Sequence, residues 1–227
     1  MKYVKLFALL GLVALGACDD DDGSGPAPEG RVRIVQGIAN VAAADVLLDG
    51  TAIKEDLAFK AAEGYRAVGT GARAVKVRKA DAAADIVTVN QAVQSGRDYT
   101  IIAYGSEAQG KSIALTDDNT APAANKAELR VVHAASGQAN VDVYVVKNAG
   151  DLANATARAT NLAAGSATAY LEVDADTYLV ILTGVGNKTA LLTVQNVDLT
   201  NGKIRTVVAL EKAGGGVPLE GIKLDDR

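Results

Sequence analysis

The sequence has no Trp, a single Cys, a single His and nine aromatic residues in a chain of 227. Two of those aromatics, Tyr3 and Phe7, fall in the first few residues, which leaves Phe59 and six Tyr for the rest. The chain is 49% hydrophobic, much of it Ala and Val, so its core must rest on many small contacts rather than a few aromatic ones. An extended aromatic platform for stacking sugars is missing, and only Tyr144 or Tyr65 is left to form a smaller one. Cys18 has no second thiol, and His133 is far from it in sequence, which argues against a metal site there. No basic excess exists either. With Lys2, Lys5, Asp19 to Asp22 and Glu29 set aside, the 23 basic and 27 acidic residues become 21 and 22. Nothing in that balance neutralises phosphates, so nucleic acid is excluded as an expected partner.

No apolar run is long enough to span a bilayer as a helix. The longest at the N-terminus, Leu6 to Ala17, would reach roughly 18 Å at 1.5 Å per residue. A basic start, a short apolar stretch and small residues before a break describe a secretory signal peptide instead. The break itself is informative. Leu15, Gly16, Ala17 and Cys18 resemble the bacterial lipobox, in which a signal peptidase cuts before an acylated Cys. By that resemblance residues 1–17 are removed, Cys18 is lipidated, and the protein is held to a membrane by its N-terminal lipid. "DDDDGSGPAPEG" then follows: acidic, rich in Gly and Pro, and unable to bury apolar surface. Residues 18–30 are therefore expected to be an extended tether.

The body aligns with itself. "RVRIVQGIANVAAADVLLDG" from Arg31 matches "ELRVVHAASGQANVDVYVVK" from Glu128, pairing Arg33 with Arg130, Val35 with Val132 and Asp45 with Asp142. Further on, Tyr65 and Val68 pair with Tyr170 and Val173, and "TVNQAVQSGRDYTIIA" pairs with "TVQNVDLTNGKIRTVVA". The ends agree as well, "IALTDD" from Ile113 with "IKLDD" from Ile222. The alignment predicts one repeat over 31–118, a linker over 119–127 and a second repeat over 128–227. Within each, period-two runs such as "NVDVYVV" and apolar runs such as "TYLVILTG" predict short strands separated by Gly-containing turns. Asn201-Gly202 between two such runs predicts a hairpin. The expected fold is all-β: two tandem antiparallel β-sandwiches, immunoglobulin-like or transthyretin-like. A helical turn is the most that the Ala-rich segments "LAFKAAEGY" and "LANATARATNLAAG" allow.

The order of these pieces resembles the bacterial family called domain of unknown function 4397. The opening "LRVVHAASGQANVDVYV", the Y-x-x-V-x-x-G-type segment and the terminal "DD" carry the resemblance, over roughly 31–118 and 128–226. The first copy departs from the pattern, with Gln36 for His133, Leu47 for Tyr144 and an irregular stretch from Lys54 to Ala62. The resemblance implies fold and location but no mechanism.

Candidate chemistry is sparse. His133, Ser136 and Asp142 are the nearest approach to a nucleophilic triad, yet no Ser sits in a nucleophile elbow. A strand-end His making a structural hydrogen bond is the simpler reading. Asp45 and Asp142 lie inside apolar strands and are expected on the solvent face, or, if buried, paired with Arg33 and Arg130. "TGVGNKTA" lacks phosphate-loop spacing and reads as a hairpin turn, and "TDDNT" lacks the alternation of a calcium loop. No enzyme activity, cofactor or metal is expected. The expectation is a lipid-anchored bacterial cell-envelope protein, on the periplasmic face or cell surface, acting as a non-catalytic binding or structural module. An envelope protein or a glycan is the partner class, and His133, Tyr144 and Asp142 are the candidate ligand residues.

Overall fold

The computed structural model describes residues 27–227. Residues 1–17, including Leu15, Gly16 and Ala17, lie outside the described residues, as do Cys18 and the tether as far as residue 26.

The first half of the chain forms β1 (Glu29–Ile38), β2 (Ala43–Leu48), β3 (Thr51–Ala58), β4 (Arg66–Gly69), β5 (Gly71–Lys79), β6 (Asp85–Val93), β7 (Asp98–Ser106) and β8 (Gln109–Asp117). They make two sheets, ordered β4-β1-β7-β8 and β3-β2-β5-β6. The second half forms β9 (Lys126–Ala134), β10 (Val141–Val146), β11 (Ala159–Leu162), β12 (Ser166–Ala167) and β13 (Leu171–Asp174). It continues with β14 (Asp176–Gly184), β15 (Ala190–Leu199), β16 (Ile204–Leu210) and β17 (Glu220–Asp225). Its sheets run β12-β9-β16-β17, with β13 also on β9, and β11-β10-β14-β15. The expected all-β sandwich architecture is present.

Strand faces follow from side-chain alternation. On β1, Val32, Ile34 and Ile38 enter the core between the two sheets of the first half, with Val46, Val75, Val77 and Ile101. On β9, Leu129 and Val131 do the same in the second half, with Val143, Val180, Leu182 and Val207. The intervening residues, Val35 on β1 and Val132 on β9, enter a third core with Ile102, Tyr104, Val208 and Leu210. The β4-β1-β7-β8 and β12-β9-β16-β17 sheets thus pack against each other as well as inside their own sandwiches. That is why β16 is buried at every position and β7 at all but its last. Gly37 marks the closest approach: a Cβ there would stand 2.5 Å from Leu210 Cδ2 and 3.0 Å from the Ala103 carbonyl oxygen.

Two local expectations are corrected. The sandwiches are not wholly antiparallel, because β1 pairs with β7 in parallel, as β9 does with β16. Asn201-Gly202 is also not a hairpin, since β15 and β16 belong to different sheets. Gly202 supplies the tight bend at φ +79°, but its N–H donates to the Lys126 carbonyl, and Asn201 Oδ1 accepts from Asn125 N–H. Both partners lie at the entry to β9, so the turn carries the chain across to that strand. Of the Ala-rich segments, the second begins inside a 3₁₀ turn at Ala149–Ala153, whose Leu152 packs with Tyr144, Val146 and Ile181.

The fold has a direction. β1, β7, β9 and β16 all start at one end, where the chain enters at residue 27, the 118–125 connection passes and the C-terminus finishes. Asn119 joins these: its side-chain amide donates to Asp98, which also holds Arg31, and its carbonyl accepts from Arg227. At the opposite end Gly214 N–H donates to the Ala39 carbonyl, linking the β16–β17 loop to the β1–β2 loop.

Candidate functional site

Four buried charged residues gather between the two sandwiches. Arg33 and Arg130 are each 3% exposed, and Asp117 and Asp226 are 5% and 8% exposed. Isolated charges at such depth are costly, so each must be compensated. They compensate one another in a ring. Arg33 donates to Thr100 Oγ1 through Nε at 3.1 Å and Nη2 at 2.8 Å. The Thr100 hydroxyl donates to Asp117 Oδ2 at 2.6 Å. Asp117 Oδ1 accepts from Arg130 Nη2 at 2.5 Å, and Arg130 Nε donates to Thr206 Oγ1 at 3.1 Å. Thr206 donates to Asp226 Oδ2 at 2.6 Å, and Asp226 Oδ1 accepts from Arg33 Nη2 at 2.6 Å, which closes the circuit. The remaining guanidinium donors reach the Asp225 and Thr116 carbonyls. The ring is neutral, two guanidinium groups against two carboxylates.

Two tyrosines flank it. The guanidinium carbons of Arg33 and Arg130 sit 4.5 and 4.8 Å from the ring centroids of Tyr65 and Tyr170, within cation–π range. Burial pushes both phenols well above their ordinary range. Tyr65 donates to Asp117 Oδ2 at 2.7 Å, whereas the Tyr170 hydroxyl has no hydrogen-bond partner.

The residues singled out from sequence lie elsewhere. His133 is fully buried on β9, with Nε2 3.1 Å from the Ala139 carbonyl oxygen, and burial depresses its pKa below the usual value. Gln36 does the same work in the first half, donating to the Val41 carbonyl at 2.7 Å and accepting from Ile38 N–H at 2.6 Å. Ser136 donates to Glu211 rather than to His133. Burial alone would raise the Glu211 carboxyl, but donors from Gly137, Gly216 and Ser136 hold it below the ordinary value. Asp142 is buried, not on the solvent face, and its oxygens accept from Asn161 N–H and Gly186 N–H. It therefore ties β11 to the β14–β15 turn and leaves Arg130 to Asp117. Asp45, half-buried, accepts from Asp56 N–H. Tyr144 is buried against Leu152 and Ile181, with Lys188 Nζ 4.0 Å from its ring centroid. No hydrogen bond links His133, Ser136, Asp142 or Tyr144 to one another.

Sequence reading missed two features. The first is the ring, which was legible in the repeat: Arg, Thr and Asp recur at matched positions in the two halves. The second is an open hollow of about 520 Å³ at the end away from residue 27. Ala39–Ala42, Ala58 and Phe59 line one side and Ala213 and Gly214 the other. No sequence signal marks it, because residues remote from one another in the chain build it.

Paired β-sandwiches, sealed face to face by an apolar layer and a neutral charged ring, define a tandem β-sandwich protein. The chain belongs to the family described as domain of unknown function (DUF4397), whose model matches residues 30–144. That stretch covers β1 to β9 and runs into β10 as far as Tyr144. No curated protein matches the chain.

Proposed function

We propose that this protein is a lipid-anchored component of the bacterial cell envelope, acting as a non-catalytic binding or structural module. Residues 128–227 are, in this reading, a second tandem copy of the family's domain. The observation that carries it is the ring: Arg33 and Arg130 are each paired with a buried aspartate of the other half, joining two sandwiches into one unit. Matched Arg33/Arg130, Thr100/Thr206, Asp117/Asp226 and Tyr65/Tyr170 support the copy relation. Direction supports the anchor, because the chain enters at one end and the hollow lies at the other. A tether on Cys18 would then turn the hollow away from the membrane. Glycan stacking has less to draw on, since Tyr99, Tyr104, Tyr144 and Tyr178 are all under 9% exposed.

The test is a Cys18→Ser variant in intact bacteria, with a palmitate analogue as label. The wild type takes up label and fractionates with membranes, and the variant loses both. A variant that stays membrane-bound after residues 1–17 are removed sinks the anchor. Photocrosslinking from position 40, beside the hollow, then identifies the partner as protein or polysaccharide.

A further inference from the structure

The charged ring is reciprocal. Arg33 reaches out of its own half to Asp226, and Arg130 reaches out of its half to Asp117. Thr100 and Thr206 each pass the contact on to the aspartate of their own half. The face made by β1, β7 and β8 therefore offers an arginine that needs a foreign aspartate and an aspartate that needs a foreign arginine. A surface of that kind complements any copy of itself across a two-fold axis. The apolar layer obeys the same rule, with Val35, Ile102 and Ile113 facing Val132, Val208 and Ile222. Only the 118–125 segment, mostly exposed and outside all three apolar cores, makes this an intramolecular contact.

We propose that this face is a homotypic recognition surface whose partner, outside the closed molecule, is a second copy of this chain. Two chains open at 118–125, and each lays its first sandwich on the other's second. The proposal rests on the copy relation stated above. Closed and exchanged forms make the same contacts, so chain concentration decides between them. A short tether holds its two ends at an effective concentration of about millimolar, which favours the closed form in dilute solution. Crowding on a surface shifts the balance towards exchange.

Reversed charges test this in the full chain. One variant carries Arg33→Asp with Asp117→Arg, and another carries Arg130→Asp with Asp226→Arg. Alone, each sets Asp against Asp and Arg against Arg across the face. Co-expressed, the two chains regain both pairs only by exchanging sandwiches, so a 1:1 heterodimer is expected by light scattering and mass spectrometry. All four changes in one chain should restore a closed monomer. If that four-fold variant folds while the two double variants never combine, exchange is overturned and the copy relation stands. If it fails to fold, wild-type chains decide. Two differently tagged preparations are refolded together from urea at about millimolar concentration. Mixed-tag dimers support the proposal, and recovery of monomers alone overturns it.

Discussion

The two halves of this molecule solve the same problems with different residues. At the end of β1, Gln36 makes two hydrogen bonds, to Ile38 of its own strand and to Val41 of the following loop, where His133 at the end of β9 makes one. Beside the ring, the Tyr65 hydroxyl is bonded to Asp117, while the Tyr170 hydroxyl is left without a partner. Where the sheets meet, Gly37 stands opposite Leu210, and the matched positions hold Ala134 and Tyr104. The ring closes through the same residue types on both sides, with one added contact, Arg130 Nη2 3.9 Å from Asp226 Oδ2. What the halves share is what joins them, and what they vary belongs to each alone.

The ring should therefore give the largest and most symmetric effects. Arg33→Ala leaves the buried Asp226 only the longer contact to Arg130 Nη2 at 3.9 Å, and Arg130→Ala leaves Asp117 buried without a guanidinium partner. Each should cost about 3–5 kcal/mol of unfolding free energy, read from urea titration. Equal losses would support the equivalence of the halves, and a difference above about 2 kcal/mol would break it, since contexts alone vary by less than the effect itself. Gly37→Ala comes next. Its methyl group meets Leu210 and a fixed carbonyl, so a loss of about 1–3 kcal/mol is expected, while Ala134→Gly should cost less.

His133 sharpens the comparison further. His133→Ala leaves the Ala139 carbonyl unpaired and opens a void, at about 1–3 kcal/mol, whereas His133→Gln copies the first half and should be nearly neutral. The pH dependence separates the two residues. The folded pKa of His133 lies below its unfolded value of 6.5, so the unfolded chain binds the proton first. Stability from this group is fully present above pH 6.5 and declines as pH falls below it. The decline in melting temperature between pH 6.5 and 5 should be shallower in His133→Gln. The smallest effects fall at the tyrosines. Tyr65→Phe removes a bond to a buried carboxylate and should cost about 1–2 kcal/mol, while Tyr170→Phe should cost almost nothing.

Much of this architecture was legible in the sequence. Period-two strands, the self-alignment and apolar runs such as "TYLVILTG", which is β14, led to paired β-sandwiches. The partners of the arginines were not legible by nearness along the chain. Asp45 and Asp142 are close to Arg33 and Arg130 in sequence, yet both are claimed by other backbone N–H groups, Asp56 of β3 for Asp45 and Asn161 of β11 with Gly186 for Asp142. Asp226 is 193 residues from Arg33 and meets it only because the two sandwiches pack face to face. Asn201-Gly202 misled for a related reason. A tight turn specifies a reversal but not the sheet that receives the chain, and here Lys126 and Asn125 decided that. The hollow had no signature, since residues remote from one another in the chain build it.

The clustering of chain entry, connection and chain end around Asn119 has one more consequence. A circuit of alternating arginines and aspartates has no first member, so the order in which the halves are translated is immaterial to it. Joining position 227 to position 27 through a short spacer and cutting the chain within 118–125 would yield a permuted protein with the halves in reverse order. It would enter and leave at the same end, with every contact in the ring unchanged.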